Sequence, residues 1–402
     1  MWFRPRAAIR AVLVRSGEKT ALALSALAGA CWLAPLFGGF WQIFVAPLPD
    51  AALAALIFAI CAAVGILSLF TAGYIFTPIM RLFRGAGSMK ATRAPLAWST
   101  PPALFGSLPG STGLTPEGTG TAVAINLVSL VFTLWSLVLV ILMLSEAHGI
   151  GGWRTLGAVL VAWIVNFALA IAIAFCFRSF VYQPFSTAGG SMIPTLKLGD
   201  RFFVSKSAYG YTRYSLFFAP SVFEGSVPAR TPRRGDVVMF RVPERGADFV
   251  ERVVGVPGDR VQMIAGRLYI NGEMVPRRAI EPREKVRLRG RTVEAPTYVE
   301  TLPGGAEHKI VELDGDRGLF DDTDVFVTPP NALFVLGDSR DNSSDSRVPL
   351  EKGGIGFVRL DTLIGRAAFI YGQLVGEGPR ARLRLHVEAL HAGSGTATVT
   401  GR

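Results

Sequence analysis

Nearly every long apolar run in this chain lies before residue 178, and that asymmetry limits the fold more than any other feature. Residues 20–46, 51–76, 121–144 and 156–177 form four such runs. Each is long enough for the about 20 helical residues that cross a hydrocarbon core. Backbone polar groups in lipid must be satisfied within their own segment, so these runs are expected as helices. Residues 178–402 are mixed, charged and punctuated by Gly and Pro, as in a domain that folds in water. The 50% hydrophobic share of the 402 residues therefore averages two unlike halves.

The expected organisation is a basic segment over 1–19, a multi-helix membrane region over 20–177, a β domain over 178–375 and a tail over 376–402 that is partly disordered. Arg4, Arg6, Arg10, Arg15 and Lys19 face a single acid, Glu18, which assigns the N-terminus to the cytoplasm. Ala28-Gly29-Ala30-Cys31 faintly resembles a lipoprotein cleavage site, but apolar residues continue through Trp32, Leu33, Phe37 and Phe40, so a retained segment is expected. Residues 77–120 are rich in Gly, Pro, Ser and Thr and predict a flexible loop, with Arg81, Arg84, Lys90 and Arg93 near its start.

Composition excludes several function classes. The net charge of +11 comes from arginines scattered without an aromatic-basic motif or recognition helix, so no nucleic-acid partner is expected and an anionic bilayer accounts for the charge. Cys31, Cys61 and Cys176 all sit in apolar segments, which leaves the water-soluble half without a disulfide framework, a metal-binding cysteine cluster or a thiol nucleophile. No metal and no cofactor are expected. His148, His308, His386 and His391 lie far in sequence from any candidate nucleophile, so a Ser-His-Asp triad has little support.

Beyond residue 185 the apolar stretches are short and bounded by Gly, Pro and Asp: 202–204, 237–240, 250–256, 268–270, 333–336 and 363–369. Their length and their β-branched and aromatic content predict strands of antiparallel character. Gly266 and Asn271-Gly272 bracket one of them as hairpin turns. Residues 215–232 and 275–324 are polar or Pro-rich and read as insertions.

Ser191 is the candidate nucleophile of this domain. It follows Gly189 and Gly190, which allow close backbone approach, and precedes Met192 and Pro194. The string Ser191-Met192-x-Pro194-Thr195-Leu196-x-x-Gly199-Asp200, with Val204-x-Lys206 and Tyr209-Gly210 behind it, resembles the first signature of bacterial signal peptidase I, the membrane-bound serine endopeptidase that removes secretory signal peptides. Arg234-Gly235-Asp236-Val237-Val238-x-Phe240, Arg252-Val253-Val254-Gly255-x-Pro257-Gly258-Asp259 and Leu268-Tyr269-Ile270-Asn271-Gly272 resemble the middle blocks of that family in order. Residues 337–347, GDSRDNSSDSR, resemble the last.

The resemblance implies a membrane α-helical N-terminal region joined to a mainly-β, signal-peptidase-like catalytic domain. It implies cleavage of exported preproteins at small-x-small sites, on the outer face of the bacterial inner membrane. Tyr182, Phe185 and Arg178 would then settle at the membrane edge, and Met192 and Pro194 would lie where substrate binds. Gly189 stands where many relatives carry a serine of the oxyanion hole, leaving the Ser191 N–H as donor. Ser343 would orient the base, and Asp345 would pair with Arg347 in support. The family's base is a lysine immediately before the Arg-x-x-Gly-x-Pro-Gly-Asp run, and here that position is Glu251. Three readings follow: Glu251 deprotonates Ser191, another lysine such as Lys206 reaches in, or the domain is catalytically silent and binds signal peptides or membrane partners. A processing peptidase with a narrow substrate is a further alternative. An outer catalytic domain conflicts with four crossings from an inner N-terminus. Either the N-terminus lies outside or one run does not cross, and the first run, broken by Pro35, Gly38 and Gly39, is the best candidate for a re-entrant or interfacial segment.

Overall fold

The computed structural model describes residues 9–11, 17–30, 51–102, 119–216, 225, 230–288, 291–375 and 382–390. It divides into two compact units, Met1–Ala172 and Ile173–Arg402. In the first, α1 (Ala51–Leu82), α3 (Thr119–His148) and α4 (Gly152–Phe180) are long, and α2 (Met89–Trp98) is short. Three stretches within the long helices, Ala59–Leu82, Val123–His148 and Gly152–Phe180, are long and apolar enough to cross a membrane. Their outward faces carry exposed Leu127, Leu134, Phe167 and Ile171, which a bilayer would cover. Inside, Phe76, Met80, Val140, Leu144, Ala158 and Val159 form one cluster.

Residues 18–30 are also helical and cross α1 at a point of glycine contact. A Cβ on Gly29 would lie 2.5 Å from the Gly65 Cα, so only small residues permit this approach. The breakers Pro35, Gly38 and Gly39 of the first apolar run lie outside the described residues. Composition predicts a flexible loop over 77–120; residues 103–118 of it lie outside the described residues, and the rest holds the end of α1, all of α2 and the start of α3. α2 forms because the Ser88 side chain caps it by accepting from the Ala91 N–H, and because Thr92, Arg93, Pro95 and Ala97 are buried. Polar composition conceals it: Thr92 hydrogen-bonds to Thr77 and His148, both at 2.9 Å.

The second unit is a mainly-β, antiparallel domain. Its principal sheet joins β1 (Tyr182–Ser186), β2 (Asp200–Ser205), β3 (Val237–Val242), β4 (Ala247–Gly255), β12 (Ala332–Leu336), β13 (Val358–Arg359), β14 (Leu363–Val375) and β15 (Arg382–Ala389). The order is β1-β2-β14-β3-β4-β12-β13, with β15 on β14. A four-stranded sheet holds β5 (Arg260–Ile264), β6 (Arg267–Ile270), β7 (Glu273–Met274) and β11 (Phe326–Val327). The expected hairpin turns are present: Ala265, Gly266, Asn271 and Gly272 all have positive φ.

Residues 275–324 are more than an insertion of polar loop. They carry β8 (Arg277–Leu288), β9 (Arg291–Thr301) and β10 (Glu307–Val311), a three-stranded sheet of order β10-β9-β8. Most of the insertion expected over 215–232 lies outside the described residues, as do 376–381 and 391–402 of the tail, whereas β15 within that tail is an ordered strand. Among the described residues four apolar clusters fill the domain, centred on Met192, Leu196 and Phe202, on Phe240, Val253 and Leu333, on Leu268, Ile270 and Phe334, and on Ile193, Val286 and Val311.

Candidate active site

Ser191 lies in the loop between β1 and β2, and strand pairing closes the neck of that loop at Ser186 opposite Arg201. Above the neck, the Thr187 N–H donates to the Asp200 carbonyl at 2.9 Å and the Gly199 N–H to the Thr187 carbonyl at 3.2 Å. The Asp200 carboxylate accepts from the Lys197 N–H at 2.7 Å. Gly199 has a φ of +82°, and a Cβ there would lie 2.8 Å from the Leu374 carbonyl, so the turn requires glycine. Met192 and Leu196 anchor the loop from below. Met192, expected at the substrate face, is only 2% exposed and packs into the core with Phe202. Pro194 is half-buried, and Gly189 is exposed with open space where its Cβ would stand.

The Ser191 loop is fastened to the loop over 337–347. The Ser339 N–H donates to the Ser191 carbonyl at 2.8 Å. Gly337 sits between the two loops: a Cβ on it would meet the Ser343 Oγ at 2.6 Å and the Ser191 carbonyl at 2.7 Å. Glu251, on β4 opposite Val238 of β3, completes the arrangement from the sheet. The Ser343 hydroxyl donates to Glu251 Oε1 at 3.2 Å. The Ser191 hydroxyl also interacts with this carboxyl, although Oε2 has no partner in good hydrogen-bond geometry. Ser191, Glu251 and Ser343 are therefore neighbours.

The electrostatics of that carboxyl decide its chemistry. Glu251 is 2% exposed, and burial pushes its pKa well above the usual carboxylate range. The negative charge of Asp345 raises it further, while the Ser191 and Ser343 hydroxyls pull it down. The neutral acid is thereby favoured over the carboxylate, and only the ionised form could take a proton from Ser191. Lys206 is engaged elsewhere. Its side chain is fully buried, its ammonium donates to the Ser215 carbonyl at 2.8 Å, and desolvation lowers its pKa to about 8.

Asp345 and Arg347 pair at 2.9 Å, and Asp345 also accepts from the Gly337 N–H at 3.1 Å. Sequence reasoning missed a second, more extensive support. Arg252, the residue after Glu251, grips Asp338 through Nε at 2.7 Å and Nη2 at 2.6 Å, and reaches Thr195 Oγ1 at 3.1 Å. Thr195 in turn donates to Asp338 at 2.5 Å. β4, the Ser191 loop and the 337–347 loop thus share one buried ion pair. The signal was present in the motifs, since Thr195, Arg252 and Asp338 each fall inside a block that resembles the family. In a further buried pair, Glu300 and Arg340, only Arg340 falls inside such a block, and Glu300 gave no signal.

Comparisons of the sequence with known proteins give the family. The family model described as signal peptidase, peptidase S26, matches residues 160–372. A signal peptidase I of Rickettsia bellii (strain OSU 85-389) is 37% identical over 214 residues, covering 51% of this chain and 71% of that protein. The chain belongs to the signal peptidase I family. Another family member, from Rickettsia prowazekii (strain Madrid E), is 37% identical over 216 residues, covering 51% of this chain and 78% of its own. A crystal structure of a signal peptidase I from Enterococcus faecalis V583 covers 34% of this chain and 97% of that chain at 23% identity, with a TM-score of 0.20. The membrane half is similar to something else: a model described as the Yip1 domain matches residues 1–174.

Proposed function

We propose that this chain is a membrane-bound serine endopeptidase that removes signal peptides from exported preproteins at small-x-small sites, with Ser191 as nucleophile. The observation that carries the reading is the Glu251 carboxyl shared by the Ser191 and Ser343 hydroxyls. In this mechanism the ionised Glu251 accepts the Ser191 proton as the hydroxyl oxygen attacks the scissile carbonyl. The Ser191 N–H donates to the developing oxyanion, with the open space at Gly189 leaving room for the substrate. The proton then passes to the leaving amine, and water, activated by the same carboxylate, releases the acyl group. Ser343 orients Glu251, and the Asp345–Arg347 and Arg252–Asp338 pairs hold the loops in register.

The membrane unit supports an outer location for the β domain. Glu18 pairs with Arg93 at 2.9 Å, and Arg10 pairs with Glu146 at the end of α3. These contacts gather Arg10, Lys19, Arg81, Arg84, Lys90 and Arg93 at the end of the bundle where α4 begins with Arg154. Cations so collected mark the cytoplasmic side. A crossing by α4 then leads the chain to the outer face, whatever the number of crossings before it.

A second reading has its own support. A Glu251 that stays protonated cannot serve as a base, which would leave a module that binds signal peptides without cutting them. Full-length protein in detergent, incubated with a preprotein bearing an Ala-x-Ala site across a pH series, separates the two. Mature product that vanishes in Ser191→Ala establishes the peptidase, whereas intact preprotein at every pH, with binding retained, favours the module.

A further inference from the structure

Three carboxylates meet outside the catalytic cluster. Glu312, Asp321 and Asp341 each offer an oxygen within 4.8 Å of the others, and Glu312 and Asp321 are buried. In each side chain one oxygen is already held by the protein. Asp341 Oδ2 accepts from the N–H groups of Leu313 at 2.7 Å and Asp314 at 2.8 Å. Asp321 Oδ2 accepts from the Gly318 N–H at 2.5 Å, and Glu312 Oε1 from Arg277 at 3.3 Å. Glu312 Oε2 and Asp321 Oδ1 are buried without any partner, on side chains 0% and 2% exposed.

The surrounding arginines are committed to other acids. Arg340 binds Glu300, Arg347 binds Asp345, and Arg277 binds Asp316 at 2.7 Å, more closely than it binds Glu312. After these pairings the three carboxylates are only partly compensated, chiefly by the longer Arg277–Glu312 contact. Gly318 makes the crowding possible, because a Cβ there would stand 2.1 Å from Asp341 Oδ1.

We propose that Glu312, Asp321 and Asp341 bind a hard divalent cation, Ca²⁺ or Mg²⁺, which fastens the 312–321 loop to the 337–347 loop that carries Ser343. All-oxygen donors favour hard cations such as these. Two oxygens that ligate one Ca²⁺ at about 2.4 Å can stand at most about 4.8 Å apart, a limit that this cluster meets. The site lies two residues from Ser343, so occupancy bears on how firmly that hydroxyl is held against Glu251.

The test is thermal unfolding of full-length, chelator-stripped protein in detergent, with Ca²⁺ or Mg²⁺ added to about 1 mM. A bound ion should raise Tm by about 5 °C, since a ligand that binds only the folded state stabilises it. A larger rise with Ca²⁺ marks a loose site of high coordination, and a larger rise with Mg²⁺ a compact octahedral one. Glu312→Gln and Asp341→Asn should each lose that rise while largely keeping the metal-free Tm, because each swaps a carboxylate ligand for a neutral amide of nearly the same shape. Equilibrium dialysis of the wild-type protein with Ca²⁺ should find one site per chain, and this arm stands even if a variant fails to fold. Unchanged Tm with both ions at about 10 mM, or an equal rise in both variants, overturns the proposal.

Discussion

In the proposed mechanism activity turns on Glu251, and its environment gives the pH dependence a definite sign. Its folded pKa is raised, so above the ordinary carboxylate range the unfolded chain loses a proton that the native state keeps. Stability attached to this group is therefore greatest in acid and declines as pH rises toward the folded pKa. Cleavage should move the other way, growing with pH as Glu251 ionises and becomes a base. Glu251→Gln should abolish turnover at every pH and flatten the decline in Tm on the alkaline side, since glutamine copies the neutral acid. Glu251→Lys should raise the rate near neutral pH by tenfold or more, on the order of a general-base contribution, because burial lowers an amine toward the working range. A steady-state pH profile with each variant reads both effects. A rate independent of pH in the parent protein would remove Glu251 from the base role.

At the scale of elements, the site is two loops held edge to edge, and Gly337 is the point of closest contact. Gly337→Ala would drive a methyl group into the Ser343 side chain and the Ser191 carbonyl. The expected costs are about 1–3 kcal/mol of stability and a disproportionate fall in kcat, measurable by denaturant unfolding and by preprotein cleavage. Breaking the Arg252–Asp338 pair should cost more, about 3–5 kcal/mol for Asp338→Ala, because a buried guanidinium is left without its partner. Much of this level was legible beforehand. Short β-branched runs marked β2, β3, β4, β6, β12 and β14, and Asn271-Gly272 marked a turn. Three features were not legible, each for a physical reason. α2 takes its stability from buried Thr92 and Arg93, which composition counts as polar. β8 and β9 are rich in Arg, Glu and Lys, so no apolar alternation announces the hairpin. Glu312, Asp321 and Asp341 are brought together by the fold of 312–321 against 337–347, a proximity that spacing along the chain does not encode.

For the molecule as a whole, the question left by counting apolar runs is which ends of the helices share a side. Counting four crossings returned the β domain to the cytoplasm, but ion pairs report sides more directly than counts do. Glu18 with Arg93 and Arg10 with Glu146 tie residues near the N-terminus to the end of the bundle from which α4 departs. Lys90, also beside Glu18 at 3.5 Å, is well exposed at that end. Leaving both the basic N-terminus and the Arg81 to Arg93 cluster inside satisfies the charge bias that the sequence had set against an outer β domain. A cysteine-free parent carrying either Lys90→Cys or Lys309→Cys provides the test, because both positions are exposed. In intact spheroplasts a membrane-impermeant maleimide should label position 309, and position 90 should react only after permeabilisation. Labelling of both without permeabilisation would mean that α4 does not separate them, and the reverse pattern would put the β domain where no exported preprotein presents its cleavage site.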